Sequence, residues 1–250
     1  MCMADIELRN VSLTYPLFEG SAFSMRRRLM SIFGVGRKEL GVSFVEGLKD
    51  ISLEIEHGSR LGLIGRNGAG KSTFLRLLAG IYQPSRGQVL LNGSVTTLFD
   101  LSLGMDEEAS GYENMYIAGA LLGFSKSEML EHVKEIEEFS ELGVALSRSV
   151  KTYSAGMRVR LAFALATLKH SDIILVDEIV GVGDTAFLHK AKMRVQKMME
   201  RSSIFCLASH AEFMLTDFCE RGLVFDQGMI VYDGPVKEAI SFYNEEINVA

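Results

Sequence analysis

The stretch of this chain that most constrains its fold is the nonapeptide GRNGAGKST, residues Gly65 to Thr73. It follows GSRLGLIG, a short apolar run ending in glycine that is typical of a buried strand. It leads into KSTFLRLLAG, which is typical of a helix closed by Gly80. In open α/β sheets, ligands bind at the carboxyl ends of the strands. We therefore predict an α/β fold with a binding site at this turn.

The turn has the spacing G-x-x-x-x-G-K-[ST], which suits phosphate binding. Glycines let the backbone curl so that several N–H groups point at phosphate oxygens, and the following helix adds its positive N-terminal end. Lys71 can reach the β- and γ-phosphates, and the Ser72 hydroxyl can ligate Mg²⁺. A glycine-rich turn could match this spacing by accident, but the flanking strand and helix favour ATP or GTP binding. The predicted nucleotide-binding residues of the turn are Gly65, Arg66, Asn67, Gly68, Ala69, Gly70, Lys71, Ser72 and Thr73.

Acidic residues end a second apolar run, IILVDE, residues 173–178. Asp177 and Glu178 would lie at the ligand-binding edge of a central strand. We predict that Asp177 holds Mg²⁺, usually through water, and that Glu178 orients and polarises the attacking water. A buried strand that merely ends in surface acids is the alternative. The next apolar strand ends at His210; a structural histidine is the alternative there, but the order of the strands suits a γ-phosphate contact.

The rest of the chain alternates between strand and helix patterns. DIELRNVSLTY alternates like an edge strand, and most of the sequence from Asp106 to Lys169 has a helical pattern. DIILVDE and SSIFCLASH look like the fully buried strands of a parallel sheet. GLVFDQGMIVYDG looks like a hairpin that turns at Gln227-Gly228. The predicted fold is α/β, with a mostly parallel core sheet, an N-terminal antiparallel β element and an inserted α-helical subdomain.

The size and composition of the chain are those of one domain. With 250 residues, 48% of them hydrophobic, the chain can bury a sizeable core. Within a single domain of residues 1–250, we assign 1–94 and 171–250 to the β core. Residues 95–170 form the predicted helical subdomain, and 16–46 form a basic extension.

Several classes of protein are disfavoured by composition. The net charge of −6 argues against nucleic acid as the main partner. The N-terminus does not resemble a signal peptide, and no window reaches the roughly 18 apolar residues of a membrane span. Cys2, Cys206 and Cys219 lack CxxC spacing and are odd in number, which favours a reduced, cytosolic chain.

A fourth motif, TYSAGMRVRLAFALA, spans residues 152–166. Small residues open a helix whose N-terminus could bind an anion. Alone, the motif would be a capped amphipathic helix. Together with the preceding motifs, it makes the chain resemble an ABC-type ATPase, a P-loop NTPase in which this segment is the signature loop. In that family the loop reaches across a head-to-tail dimer to the γ-phosphate held by the partner. The resemblance assigns this role to Ser154, Ala155, Gly156 and Met157.

The resemblance implies further roles. Tyr15, in VSLTY, matches the aromatic residue that stacks on adenine, although a core tyrosine is a comparable alternative. Asp184, in VGVGD, matches the D-loop aspartate, although a helix cap would explain it equally. Asp100 occupies the position of the Q-loop glutamine, where a carboxylate can still reach the metal. The implied catalytic residues are Lys71, Glu178 and His210, and the implied metal ligands are Ser72, Asp100 and Asp177.

The signature also departs from the family pattern. The usual motif begins Leu-Ser-Gly-Gly-Gln, whereas Tyr153, Ala155 and Met157 stand at three of those positions here. With Asp100, these departures leave ATP binding intact but bear on the rate of hydrolysis and on coupling.

A basic, apolar segment near the N-terminus, FSMRRRLMSIFGVGRK, covers residues 23–38. If it is helical, Met25, Leu29, Ile32 and Phe33 share one face. A basic amphipathic helix suits an anionic membrane surface. A surface helix packed on its own core is the alternative.

This extension, with YSAGM and GYENMYIAG, resembles the ATPase subunits of bacterial polysaccharide exporters, which move O-antigen, capsular polymer or teichoic acid. The resemblance implies ATP and Mg²⁺, a homodimer, a separate integral membrane permease in two copies, and a lipid-linked polysaccharide as cargo. It places the protein peripherally at the cytoplasmic face of the bacterial inner membrane, with a membrane contact through residues 23–38. We expect no nucleic-acid partner and, since the chain stops at Ala250, no C-terminal carbohydrate-binding domain.

Two rival functions stay open at this point. One is another ABC transporter ATPase, for drug or lipid export. The other is a non-transport ABC ATPase that acts on DNA or ribosomes, which the single motif set and the lack of sustained heptads disfavour.

Overall fold

The computed structural model describes residues 4–18, 42–99, 101, 104–178 and 185–248. Within these residues the strands form two sheets. The first is antiparallel, with the order β2-β1-β4, and contains β1 (Asp5–Phe18), β2 (Val42–Ile55) and β4 (Arg86–Asn92). The prediction of an edge strand for β1 is wrong, because β1 pairs with strands on both sides. Alternation of apolar and polar residues indicates which face of a strand is buried. It does not indicate whether the strand pairs along one edge or along both.

The second sheet has the order β5-β6-β7-β3-β8-β9. Its first five strands in that order pair in parallel, and β9 runs antiparallel to β8, so the predicted mostly parallel α/β sheet is confirmed. The β8–β9 hairpin turns at Gln227 and Gly228, as predicted, with φ angles of 46° and 83°. The strands are β3 (Arg60–Ile64), β5 (Val95–Leu98), β6 (Ile173–Asp177), β7 (Ile204–Ala208), β8 (Arg221–Asp226) and β9 (Met229–Pro235).

Helices cover the parallel sheet and form a separate group between β5 and β6. The α-helices of the described residues are α1 (Lys71–Leu78), α2 (Gly111–Leu122), α3 (Lys126–Ser140), α4 (Ala155–Ala166), α5 (Thr185–Arg201), α6 (Glu212–Phe218) and α7 (Val236–Phe242). Short 3₁₀ turns span Gly143–Ser147 and Val150–Thr152, and a π-helical turn spans Tyr243–Ile247. Among the helices of the described ranges, none is both long and apolar enough to cross a membrane.

The helical group α2–α4 is delimited by strong local signals. Ser110 and Ser125 each accept a hydrogen bond from the backbone of a glutamate three residues on, and that glutamate bonds back, so both helices begin at capping boxes. The strand β5 pairs with β6 in the parallel sheet. The strand β5 therefore belongs to the parallel sheet, whereas the sequence analysis had counted its residues as the start of the helical subdomain 95–170.

The parallel sheet separates two cores. Along its strands, side chains alternate between the faces: Leu63 and Leu175 pack towards α1 and the antiparallel sheet. Val176 and Leu207 instead face the cluster that includes the helical group. Because both faces are covered, the central strands β3, β6, β7 and β8 have apolar or glycine residues in their interiors, and their charged residues come only at their ends. This arrangement gathers the predicted site residues at one edge of the sheet.

Candidate active site

A cleft of about 520 Å³ lies at the carboxyl edge of the parallel sheet, between the glycine-rich turn and the ribbon formed by β1 and β2. It brings together most of the residues that the sequence analysis singled out. Those that line it are Tyr15, Asn67, Gly68, Gly70, Lys71, Ser72, Thr73, Asp177, Glu178 and His210.

The path of the turn depends on glycine at two points. Gly65 has a φ of 150°, and a Cβ atom there would lie 2.5 Å from the carbonyl oxygen of Phe225. Gly70 has a φ of 118° and precedes the first residue of α1. Gly70 is the N-cap of α1 and has no side chain. The N–H groups of the first helical turn therefore receive no hydrogen-bond acceptor from the cap residue. An anion such as a phosphate can take this place.

Lys71 is nearly buried, with 7% of its surface exposed, and its ammonium lies within the turn. Its Nζ donates hydrogen bonds to the carbonyl oxygens of Gly65, at 2.5 Å, and Arg66, at 3.1 Å. Burial lowers the pKa of Lys71, while the negative charges of Asp177 and Glu178 oppose that shift. A phosphate bound in the turn would stabilise the charged ammonium further.

The acidic pair and the histidine meet because β6 and β7 are neighbours. Asp177 pairs with Ala208 in the parallel register, so Glu178 and His210 leave the sheet side by side. The Glu178 carboxylate lies 3.9 Å from Nε2 of His210. Glu178 has a φ of 48°, in the left-handed region, and its N–H donates to the Ala208 carbonyl at 2.9 Å. Backbone strain of this kind in a non-glycine residue is often found at functional sites.

Oxygen ligands for a divalent cation are present in the same cleft. Ser72, the second residue of α1, and Asp177, the last residue of β6, both line it. Among the described residues, no group of three or more His, Cys, Asp and Glu side chains could hold a metal by itself. Mg²⁺ typically binds through one or two protein oxygens together with water and substrate phosphates. The donor set therefore fits Mg²⁺ delivered with a nucleotide.

Tyr15 lines the cleft from the β1–β2 ribbon; it is partly exposed and also packs against the core that contains α1. Gly47 faces it, and a Cβ atom on Gly47 would lie 2.7 Å from Cε1 of Tyr15. The absence of a side chain at Gly47 thus makes room for the Tyr15 ring.

Sequence reasoning missed several residues of the cleft. Val45, Glu46 and Lys49 of β2, and the hairpin turn Gln227-Gly228, also line it. The Gly228 N–H donates to the Ala69 carbonyl at 2.9 Å, and the Gly228 carbonyl accepts from the Lys49 N–H at 2.8 Å. The sequence predicted the hairpin but not its contact with the glycine-rich turn. The two segments are about 160 residues apart, and a local sequence pattern cannot predict a contact over that separation.

The signature residues lie elsewhere. Ser154 is the N-cap of α4, and its side chain accepts a hydrogen bond from the Met157 N–H at 3.2 Å. Ser154 and Ala155 are exposed, whereas Gly156 and Met157 are partly exposed. Within the described part of the chain, these residues do not line the cleft that holds Lys71. The start of α4 is therefore presented on the surface, away from its own phosphate site.

Tyr153, which departs from the leucine of the family pattern, is buried, with 4% exposed. Its hydroxyl donates to the Ala145 carbonyl at 2.7 Å. A Cβ atom on Gly111, the first residue of α2, would lie 2.5 Å from the same hydroxyl oxygen. The tyrosine is thus accommodated by a glycine in α2 and by a hydrogen bond to the 3₁₀ turn, and it holds the signature loop against the helical group.

The loop before α2, which contains Asp106 and Glu107, also contacts the signature segment, in addition to the contact made by Tyr153. The N–H of Lys151 donates to the Glu107 carbonyl at 2.8 Å, and Arg158 of α4 lies 3.2 Å from the Glu107 carboxylate. Asn114, buried to 1% exposure, organises that loop: its Oδ1 accepts from the Asp106 N–H, and its Nδ2 donates to the carbonyls of Asp106 and Ser110.

Three predictions fall outside the described residues. Asp100 and Asp184 are among them, as is nearly all of the basic extension 16–46, including the whole of residues 23–38. Their assigned roles stay predictions from the sequence.

Comparisons with known proteins identify the family of this chain. The family model described as ABC transporter matches residues 48–181. The O-antigen export system ATP-binding protein RfbE of Yersinia enterocolitica is 42% identical over 236 residues, which cover 91% of this chain and 99% of that protein. The teichoic acids export ATP-binding protein TagH of Shouchella clausii is 34% identical over 96% of this chain, which spans 65% of that longer protein.

A solved structure has the same fold. A dimeric ATP-binding cassette in a post-hydrolysis state, bound to ADP and Pi, superposes with a TM-score of 0.68 at 19% identity, covering 92% of this chain and 98% of that one. The residues matched by the family model include the glycine-rich turn, the signature helix and the acidic strand end. The chain belongs to the ABC transporter family, and it is an ATPase of that family.

Proposed function

We propose that this protein is the ATP-hydrolysing subunit of an exporter that moves a lipid-linked polysaccharide of the O-antigen, capsule or teichoic acid type. The observation that carries the proposal is the division of the site. One cleft holds Lys71, Asp177, Glu178 and His210, while the signature residue Ser154 is exposed outside it. Similarity to the O-antigen and teichoic acid export proteins supports the choice of cargo.

Each residue of the cleft has a distinct part in the reaction. The backbone N–H groups of the turn and the Lys71 ammonium bind the β- and γ-phosphates. Ser72 and Asp177 would hold Mg²⁺, which would supply positive charge to neutralise the phosphate oxygens. Glu178 orients the attacking water and accepts its proton. His210, 3.9 Å from Glu178, contacts the γ-phosphate from the neighbouring strand end.

The signature segment acts on the second copy of the chain. The N-terminus of α4, with Ser154 at its cap, carries a partial positive charge and is exposed. In a head-to-tail homodimer it covers the γ-phosphate bound by the partner, so that two ATP molecules lie between the two chains. ATP binding closes the dimer and hydrolysis releases it.

The test of this chemistry is the substitution Glu178→Gln. It should leave the ATP dissociation constant within about twofold and slow hydrolysis by about a hundredfold or more, which is the usual contribution of a general base. With ATP, the variant should elute as a dimer in size-exclusion chromatography. Glu131→Gln, on the exposed surface of α3, is the matched control and should hydrolyse ATP normally. Hydrolysis at the normal rate by Glu178→Gln would remove Glu178 from the proposed role.

The dimer has its own test. In the Glu178→Gln background, Ser154→Arg should abolish the ATP-dependent dimer and leave ATP binding by the monomer intact, because Ser154 lies outside the cleft of its own chain. A dimer that persists with unchanged stability would contradict the proposed arrangement.

The export function is tested through its partners. We propose that the protein works peripherally at the cytoplasmic face of the bacterial inner membrane, with two copies of a permease. Purification in mild detergent should recover that permease, and depletion should cause a lipid-linked glycan to accumulate inside the cell. Recovery of a permease for drugs or lipids instead, without glycan accumulation, would assign the ATPase to another kind of exporter.

A further inference from the structure

A second tyrosine lies beside Tyr15, outside the cleft. The rings of Tyr15 and Tyr82 are nearly parallel, with an angle of 22° between their planes and 6.1 Å between their centroids. This separation is within the range that aromatic pairs prefer. Tyr82 is partly buried and packs against the core that contains α1. Tyr15 therefore has an aromatic neighbour that is itself fixed by the fold.

The turn that carries Tyr82 is fastened at both ends. At its start, α1 ends near Gly80, and the N–H groups of Ile81 and Tyr82 both donate to the Arg76 carbonyl, at 3.0 and 3.2 Å. At its end, Ser85 is bonded to β1. The Thr14 N–H donates to the Ser85 hydroxyl at 2.9 Å, and that hydroxyl donates to the Thr14 carbonyl at 3.2 Å. The turn is thus attached to the residue that immediately precedes Tyr15.

The Tyr15 ring also lies close to Gly47 of β2. Gly47 of β2 lies so close that a Cβ atom there would approach Cε1 of Tyr15 to 2.7 Å and the Thr73 methyl group to 3.1 Å. The helix α1 begins at Lys71, in the phosphate turn, and leads directly into the turn with Tyr82. One eight-residue helix, about 12 Å long, therefore connects the phosphate end of the cleft to the support for Tyr15.

We propose that Tyr82 is a positioning residue for nucleobase binding: it holds the Tyr15 ring in the orientation in which it stacks on the base of ATP. The proposal rests on the proposed function as an ATPase and on the expectation from the sequence that Tyr15 stacks on adenine. A tyrosine with a fixed ring loses less conformational freedom when the base binds than a free one does. Tyr82 itself need not touch the nucleotide.

The decisive measurement compares two ligands that share phosphates and differ in the base. Dissociation constants for ATP and for inorganic tripolyphosphate, both with Mg²⁺, are measured by calorimetry. Tyr82→Leu keeps an apolar side chain in the core and removes the ring. It should weaken ATP binding by about threefold to tenfold, the range expected for loss of an aromatic pair, and leave tripolyphosphate binding unchanged. Tyr82→Phe should bind both ligands normally.

Two outcomes would overturn the proposal. Equal weakening of both ligands by Tyr82→Leu would mean that Tyr82 only supports the local structure. If Tyr82→Leu weakens the binding of neither ligand, Tyr15 does not need Tyr82 to hold its ring in position. Ile81→Ala, in the same turn but 55% exposed, is the matched control and should change neither constant.

A parallel variant separates this inference from the function on which it rests. If Tyr15→Ala leaves the ratio of the two dissociation constants unchanged, the adenine contact itself is refuted. If Tyr15→Ala changes that ratio and Tyr82→Leu does not, the adenine contact stands and only the role of Tyr82 fails.

Discussion

The contact between Gly111 and Tyr153 makes a quantitative prediction about the signature loop. In Gly111→Ala, the new methyl group would meet the Tyr153 hydroxyl oxygen at 2.5 Å, a side-chain atom of Leu146 at 2.9 Å and its Cα at 3.1 Å. Overpacking of this kind costs about 1–3 kcal/mol. Alanine also favours a helix over glycine by up to about 1 kcal/mol, so the single substitution does not isolate the contact.

A double-mutant cycle isolates it. Tyr153→Leu restores the residue usual in the family and removes the hydroxyl, so Gly111→Ala should be less damaging in that background. The helix-propensity difference and the clash with Leu146 are common to both backgrounds and cancel. We expect a coupling free energy of about 1–2 kcal/mol, within the range for residues in contact.

The assay is urea unfolding of the four proteins in the cycle, followed by circular dichroism without nucleotide. Gly111→Ala should lower the free energy of unfolding more with Tyr153 intact than in the Tyr153→Leu background. A coupling energy below about 0.5 kcal/mol, the level at which independent sites are additive, would refute the idea that a glycine is needed at 111 because of the tyrosine at 153.

Two further predictions concern buried polar groups. Asn114→Ala should lower the free energy of unfolding by about 1–3 kcal/mol, because it removes the side-chain partner of both the backbone N–H and the carbonyl of Asp106. Urea unfolding measures this, and a loss below about 0.5 kcal/mol would contradict it. Burial raises the pKa of Cys206 to about 12 from an ordinary value of 9.0, and it also raises the pKa of Cys219. Neither thiol should therefore react with iodoacetamide at pH 8 until the protein unfolds, as mass spectrometry of the labelled peptides can show. Above pH 9 the unfolded thiols ionise while the folded ones do not, so their contribution makes stability fall as pH rises.

Local patterns in the sequence predicted the elements of the site well. The strand, the glycine-rich turn and α1 are contiguous, and each is determined by residues within a few positions of Lys71. Asp177 and Glu178 were found because a fully apolar strand that ends in acids is itself a local pattern. Their meeting with His210 followed from the order of parallel strands, which the sequence also indicates.

Contacts between distant segments could not be predicted in this way. The edge assignment for β1 failed because pairing with β4 depends on a partner about 80 residues away. The stacking of Tyr82 near Tyr15 and the fit of Tyr153 against Gly111 likewise depend on the packed fold. Tyr153 was identified as a departure from the family motif, but only its burial and its bond to Ala145 explain how the loop accommodates it.

The peptide group of Gly228 has a mechanical consequence. Its N–H is bonded to the phosphate turn at Ala69, and its carbonyl is bonded to β2 at Lys49. The antiparallel sheet carries Tyr15, and the phosphate turn leads into Lys71 at the start of α1, so a rocking motion of the antiparallel sheet against the phosphate turn would strain these two bonds. We therefore expect the spacing between the base end and the phosphate end of the nucleotide site to be set before a ligand binds, and slow hydrogen exchange at the Gly228 amide would report that rigidity.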